Sequence, residues 1–330
     1  MKKILLSILA IGILVLAMVV TINKFNNNRN SDLDRIRLAE VAHSVLYAPM
    51  YVAIENGFFE DFGIEIELIL TPGADRVGAA VLSNDVQVGF AGVESIIYIY
   101  QGGEEDYLVG FAGLIKRDGQ FIVSRERIEN FTLDDLRGKE VLAGRAGGMP
   151  ALNFEYALRN QGLTNRDVNI NTNIDFAALA GSFIGGNGDF VNLFEPLATK
   201  MEREGFGYVV ASVGELAGEV PYTIFYARKS FIDNNLDLLI RFTKAIELGL
   251  QFMIENDDKT IAEVILPQFP DTSLNDLTTI IGRYRAADAW NSNPFINEES
   301  FNNMLSIMRE ANLIRGNIPY DRIIRNLHEK

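Results

Sequence analysis

The chain has 330 residues, 48 % apolar and 22 % charged, with no cysteine and a formal net charge of −14. That length and apolar share suffice for two packed domains and exclude a largely disordered chain. The acid excess, without Lys/Arg clusters interleaved with aromatics, argues against a nucleic-acid surface, and the missing cysteine removes disulfides, thiolate metal sites and cysteine nucleophiles together.

In chain order, Lys2 and Lys3 precede an apolar run from Ile4 to Ile22, broken only by Ser7, Gly12 and Thr21. Such a run can span a bilayer as a helix, and no small-x-small cleavage site follows it, so a signal-anchor is favoured over a cleaved signal peptide. The positive charges ahead of it keep that end in the cytoplasm and place the remainder on the extracytoplasmic face of the cell membrane. Residues 1–33 are thus predicted to be an anchor followed by an Asn-rich polar tether.

From Asp34 the texture alternates. IRLAEVA, IEIELIL, VQVGFAG, YLVGFAGLI, EVLAG, VNINT, DFVNLF and GYVVASV are short, β-branched or aromatic segments separated by helix-sized stretches. This is the pattern of βαβ units with helices on the faces of mostly parallel sheets. Beyond Ser230 three amphipathic stretches predict a helical C-terminus. QFIVSRE and VPYTIFYAR read as extended crossings between two α/β lobes, the first built from 34–122 and 223–330, the second from 123–222.

Catalytic motifs are missing. The only histidines, His43 and His328, cannot assemble a zinc pair, and no nucleophile elbow, P-loop or complete dinucleotide fingerprint occurs. No metal, no cofactor and no enzymatic activity are predicted. What the chain offers instead are strand-to-helix turns of the kind that hold ligands in open α/β sheets. GRAGGMPALNFEYAL has glycines for close backbone approach and Pro150 at a first helical position; FAGVES carries Glu94 at its mouth; NLFEPLA carries Glu195 just before Pro196. Tyr47, Tyr222 and Trp290 offer flat faces, and Arg117 and Asp118 lie just before the first crossing. For each acid the alternative is a helix-dipole partner, for each aromatic core packing, and for Arg117 and Asp118 a solvated turn.

YAPMYVAIENGFFEDFGIEIEL, GADRVGAAVLSNDVQVGFAGVES, LIKRDGQF, LDDLRGKEVLAGRAGGMP and GDFVNLFEP together resemble the NMT1/THI5-like family of ABC-transporter substrate-binding proteins, which handle thiamine pyrimidine precursors, sulfonates, taurine and nitrate. The resemblance implies a type II periplasmic-binding-protein fold, two α/β lobes joined by two crossover strands and closing on ligand by a hinge. It implies a cleft lined by Ser44 and Tyr47, with His43 a weaker candidate, by Gly92 and Glu94, by Gly147, Gly148 and Met149 on the opposite lobe, by Glu195, and by Tyr222 at the second crossing. It also implies a monomer that delivers a small molecule to a permease driven by a separate ATPase. Fungal relatives of this fold are pyrimidine synthases with a cysteine-rich iron motif, which a chain without cysteine cannot reproduce.

Paired acids with tyrosines suit a thiamine-pyrimidine-like heteroaromatic whose amino groups donate to carboxylates. An aliphatic sulfonate, taurine or nitrate is the alternative, an enzyme acting on a heterocycle a further one, and a membrane-tethered sensor a third.

Overall fold

The computed structural model describes residues 33–327. The predicted anchor and tether and His328 lie outside the described residues, and no helix among the described residues is long and apolar enough to cross a membrane.

Strands β1 (Asp34–Glu40), β2 (Ile64–Leu70), β3 (Val88–Gly92), β4 (Leu108–Ile115) and β10 (Thr223–Arg228) form one sheet, in the order β2-β1-β3-β10-β4. Strands β5 (Phe121–Ser124), β6 (Glu140–Leu142), β7 (Asn169–Asn171), β8 (Phe190–Leu193) and β9 (Tyr208–Ser212) form the other, in the order β7-β6-β8-β5-β9. The sequence shows why these segments are strands. IEIELIL alternates as an edge strand does, whereas LVGFAGLI in β4 is buried throughout, as a strand covered on both faces must be.

The two segments read as crossings each begin in a passage between the sheets and continue as a strand. QFIVSRE runs from Gln120 into β5, antiparallel to β8 and β9 in the second sheet, and VPYTIFYAR runs from 220–222 into β10, antiparallel between β3 and β4 in the first. The chain passes between sheets at 116–120 and returns through 213–222. These two passages are tied to one another by Val213 N–H to Gln120 O (2.9 Å) and Val220 N–H to Lys116 O (3.0 Å). The antiparallel pairing follows from connectivity. A strand entered directly from the other sheet must start at the end facing that sheet, opposite to strands that finish there.

The helix Ala48–Glu55 begins with Pro49 in its first turn, where the missing N–H costs no intrahelical bond. It packs on the long helix Leu236–Glu255, which buries Leu239, Phe242, Ile246, Leu250 and Met253. Gly249 permits that approach, because a Cβ there would collide with the Pro49 carbonyl. The predicted C-terminal helices are Leu236–Glu255, Leu274–Ala286 and Glu298–Glu310, with Asp258–Ile265 in addition.

Candidate functional site

In an open α/β sheet the carboxyl ends of the parallel strands carry the ligand-facing loops. Here β1, β3 and β4 of one sheet, and β6 and β8 of the other, end toward the passages between the sheets. Their following turns hold Ser44 and Tyr47, Glu94, Arg117 and Asp118, Gly147 to Met149, and Glu195, while Tyr222 immediately precedes β10. The fold thus brings turns far apart in sequence to one interlobe region. Tyr98, one turn along the helix Val93–Gln101 from Glu94, donates to the Gly147 carbonyl of the opposite lobe at 3.2 Å.

Two carboxylates are buried there. Glu94 is 5 % exposed and Asp118 is 2 % exposed, and neither makes an ion pair among the described residues. Burial pushes Glu94 up to about 7 against the opposing pull of the Glu94 and Met149 backbone N–H groups that face it. Burial likewise raises Asp118 to about 7, although the Gln120 N–H (2.8 Å), the Asn153 side-chain amide (3.3 Å) and the Tyr222 hydroxyl all favour its charged form. Glu94 occupies the space left by Gly92, where an added Cβ would overlap the carboxyl group, 2.7 Å from its Cδ.

Around these acids lie polar side chains without enough partners. Glu94 Oε2, Gln120 Oε1, Asn153 Oδ1 and both amide atoms of Asn192 are buried and unbonded. Arg117 Nε is buried and unbonded as well, and Asp118, Gln120, Asn153 and Asn192 are linked to one another by hydrogen bonds. Buried polar groups are normally paired, so unpaired ones gathered beside Asp118 mark a place where another polar molecule completes the bonding. Tyr47 packs edge-on against Phe90 (4.5 Å between ring centroids), and its hydroxyl interacts with Thr223. Tyr222 lies 6.5 Å from Phe194.

Other candidate residues are held elsewhere. The Glu195 carboxylate accepts from Thr199 N–H (2.8 Å), Thr199 Oγ1 (2.9 Å) and Arg283 (2.9 Å), an ion pair between the lobes rather than an open acceptor. Arg117 turns to Glu219 (3.3 Å) and Asp288 (3.5 Å) beside the second passage. His43 sits outside the polar cluster, with Nδ1 on Glu40 (2.8 Å) and Nε2 on the Gln268 carbonyl (2.9 Å). Trp290 donates its indole N–H to the Leu46 carbonyl (2.7 Å), so it braces the loop that carries Tyr47.

Sequence reasoning missed Gln120, Asn153 and Asn192. A signal was present for two of them: Asn153 falls in the helix opened by Pro150, and Asn192 stands three residues before Glu195. A buried polar residue in an otherwise apolar strand end is uncommon enough to count.

The fold is shared with solved binding proteins. The alkanesulfonate-binding protein SsuA from Xanthomonas axonopodis pv. citri bound to MOPS superposes with a TM-score of 0.69 at 13 % identity, covering 88 % of this chain and 98 % of that one. The periplasmic nitrate-binding protein NrtA from Synechocystis PCC 6803 gives 0.67 at 15 % identity, covering 89 % and 86 %. At these identities the likeness is one of fold, the type II periplasmic-binding-protein architecture. In sequence, the chain is 38 % identical over 293 residues to YtlA of Bacillus subtilis (strain 168), which carries a provisional designation as a binding protein, with 88 % of each chain covered. The NMT1/THI5-like family model matches residues 45–260, and the chain belongs to that family.

Proposed function

We propose that this chain is the solute-binding protein of an ABC importer and that its ligand is a flat heteroaromatic amine of the thiamine-pyrimidine type. One observation carries the ligand class: Glu94 and Asp118 are buried in one interlobe region with no cation paired to them among the described residues. Ring N–H and amino groups donate to such carboxylates, and Tyr47 and Tyr222 supply faces for the ring. Glu94 lies on one side of the cleft and Asn153 and Asn192 on the other, so a ligand touching both would favour the closed arrangement over an open one, with the hinge at 116–120 and 213–222. The closed protein would then dock, as a monomer on the extracytoplasmic side, on a permease served by a separate ATPase. Release of unchanged compound, not turnover, is the expected outcome.

A second reading, an oxyanion ligand, draws support from the start of the helix Met149–Asn160, which no side chain caps, and from the fold neighbours named for sulfonate and nitrate. The acids weigh against it. Two like charges at about 4 Å and an effective dielectric of about 20 repel by about 4 kcal/mol.

The test is mass spectrometry of small molecules carried through native purification of the full chain, followed by calorimetry with an aminopyrimidine and with taurine. Saturable aminopyrimidine binding is expected. Taurine binding with no aminopyrimidine binding would overturn the ligand class.

A further inference from the structure

The helix Met149–Asn160 runs for 12 residues and opens on Gly148, which has no side chain to cap it, followed by Met149 and by Pro150, which has no N–H. The first N–H groups of a helix have no intrahelical acceptor and carry the positive end of its dipole. That terminus meets the start of a second helix, Val93–Gln101, on the other lobe, and the Tyr98 to Gly147 bond fixes the approach. Between the two termini stands one carboxylate, that of Glu94. The backbone N–H groups of Glu94 and Met149 both face it, one from each helix. Its Oε2 is buried without a partner, and the missing Cβ of Gly92 makes the room in which it sits.

Two helix N-termini aimed at one buried point are a ready anion site, and the protein fills this one with a side chain of its own. We infer that Glu94 is a built-in counter-ion that excludes free oxyanions from the cleft, and that removing it exposes an oxyanion site between the two helix starts. The inference rests on the cleft being the ligand site and makes Glu94 the residue that decides between cationic or neutral donors and anions. Shape agrees with charge, because nitrate has the planar trigonal form of the carboxylate that it would replace. Asp118 lies in the first passage, among Gln120, Asn153 and Tyr222 rather than at a helix start, and so does not share this role.

The experiment is calorimetry of the full chain at alkaline pH with sodium nitrate and sodium methanesulfonate. It compares the wild type, Glu94→Ala and, as a charge control on the surface, Asp237→Asn, whose side chain is exposed on the helix Leu236–Glu255, each checked for native circular dichroism, with Glu94→Ser in place of Glu94→Ala if the latter does not fold. The wild type and Asp237→Asn should show no saturable binding of either anion, and Glu94→Ala should bind at least one of them at least about tenfold more tightly. Saturable nitrate or methanesulfonate binding by the wild type overturns the inference. So does a folded Glu94→Ala, or the folded Ser variant, that gains nothing, or an equal gain in Asp237→Asn. An aminopyrimidine titration of the wild type separates the two readings. If it fails while Glu94→Ala gains an anion, the proposed ligand is wrong and the exclusion stands; if it succeeds while Glu94→Ala gains nothing, the reverse holds.

Discussion

Replacing Glu94 by Gln removes a charge that the folded protein holds at a cost. The carboxyl titrates near 4.5 when exposed and at about 7 in the cleft, a difference equivalent to about 3 kcal/mol at 1.36 kcal/mol per unit. The sign follows from proton binding. Between those two values the folded state keeps the proton that the unfolded chain releases, so wild-type stability falls as pH rises through this window. Glu94→Gln does not titrate, and its stability relative to wild type should therefore climb by about 3 kcal/mol from about pH 4 to about pH 8. The new amide buries a donor that has no evident partner, which subtracts roughly 1 kcal/mol at every pH and leaves the slope untouched. The assay is urea denaturation of both proteins, freed of ligand by unfolding and refolding, followed by fluorescence of the only tryptophan, Trp290. A stability gap that is flat with pH, or that narrows as pH rises, would refute the assignment of Glu94 as a buried carboxyl lacking a cation.

His43 gives the opposite slope. Both of its ring nitrogens face acceptors, Glu40 and the Gln268 carbonyl, so both bonds need the imidazolium, and the hydrogen bond it donates to Glu40 leads the causes that raise its pKa above 6.5. The stability it contributes is fully present below 6.5 and is lost as pH rises through the folded value, so the gap between wild type and His43→Gln should be widest in acid and close in base. A gap independent of pH in the same denaturation assay would show that the imidazolium is not needed. Arg283→Leu leaves the buried Glu195 carboxylate without its cation and should cost about 3 kcal/mol, most of it recovered in the double variant with Glu195→Gln. Additive single-variant effects in that cycle would show that the pair is not coupled.

Much of the fold could be read locally. IEIELIL is β2 residue for residue, and Pro49 and Pro150 open helices because a proline in the first turn forfeits no hydrogen bond. Gly-rich corners with acids at their mouths pointed to the interlobe turns, since the carboxyl ends of parallel strands are set by the order of strands and helices along the chain.

Which of those acids is free for a ligand was not local. Glu94 after FAGV and Glu195 after NLF occupy equivalent places, each just beyond a buried strand, and nothing in either stretch separates them. Glu195 is taken by Arg283, 88 residues further along, whereas Glu94 and Asp118 meet no cation among the described residues. Strands β5 and β10 are a parallel case, because their composition reads as extended chain while their direction and sheet are decided by the passages between lobes. The amino-acid sequence alone determined the alternation of strands and helices, the positions of the turns and the surplus of acid. Tertiary structure alone decided which charges are paired and which polar atoms of Gln120, Asn153 and Asn192 are left without partners, because pairing depends on side chains brought together from distant parts of the chain.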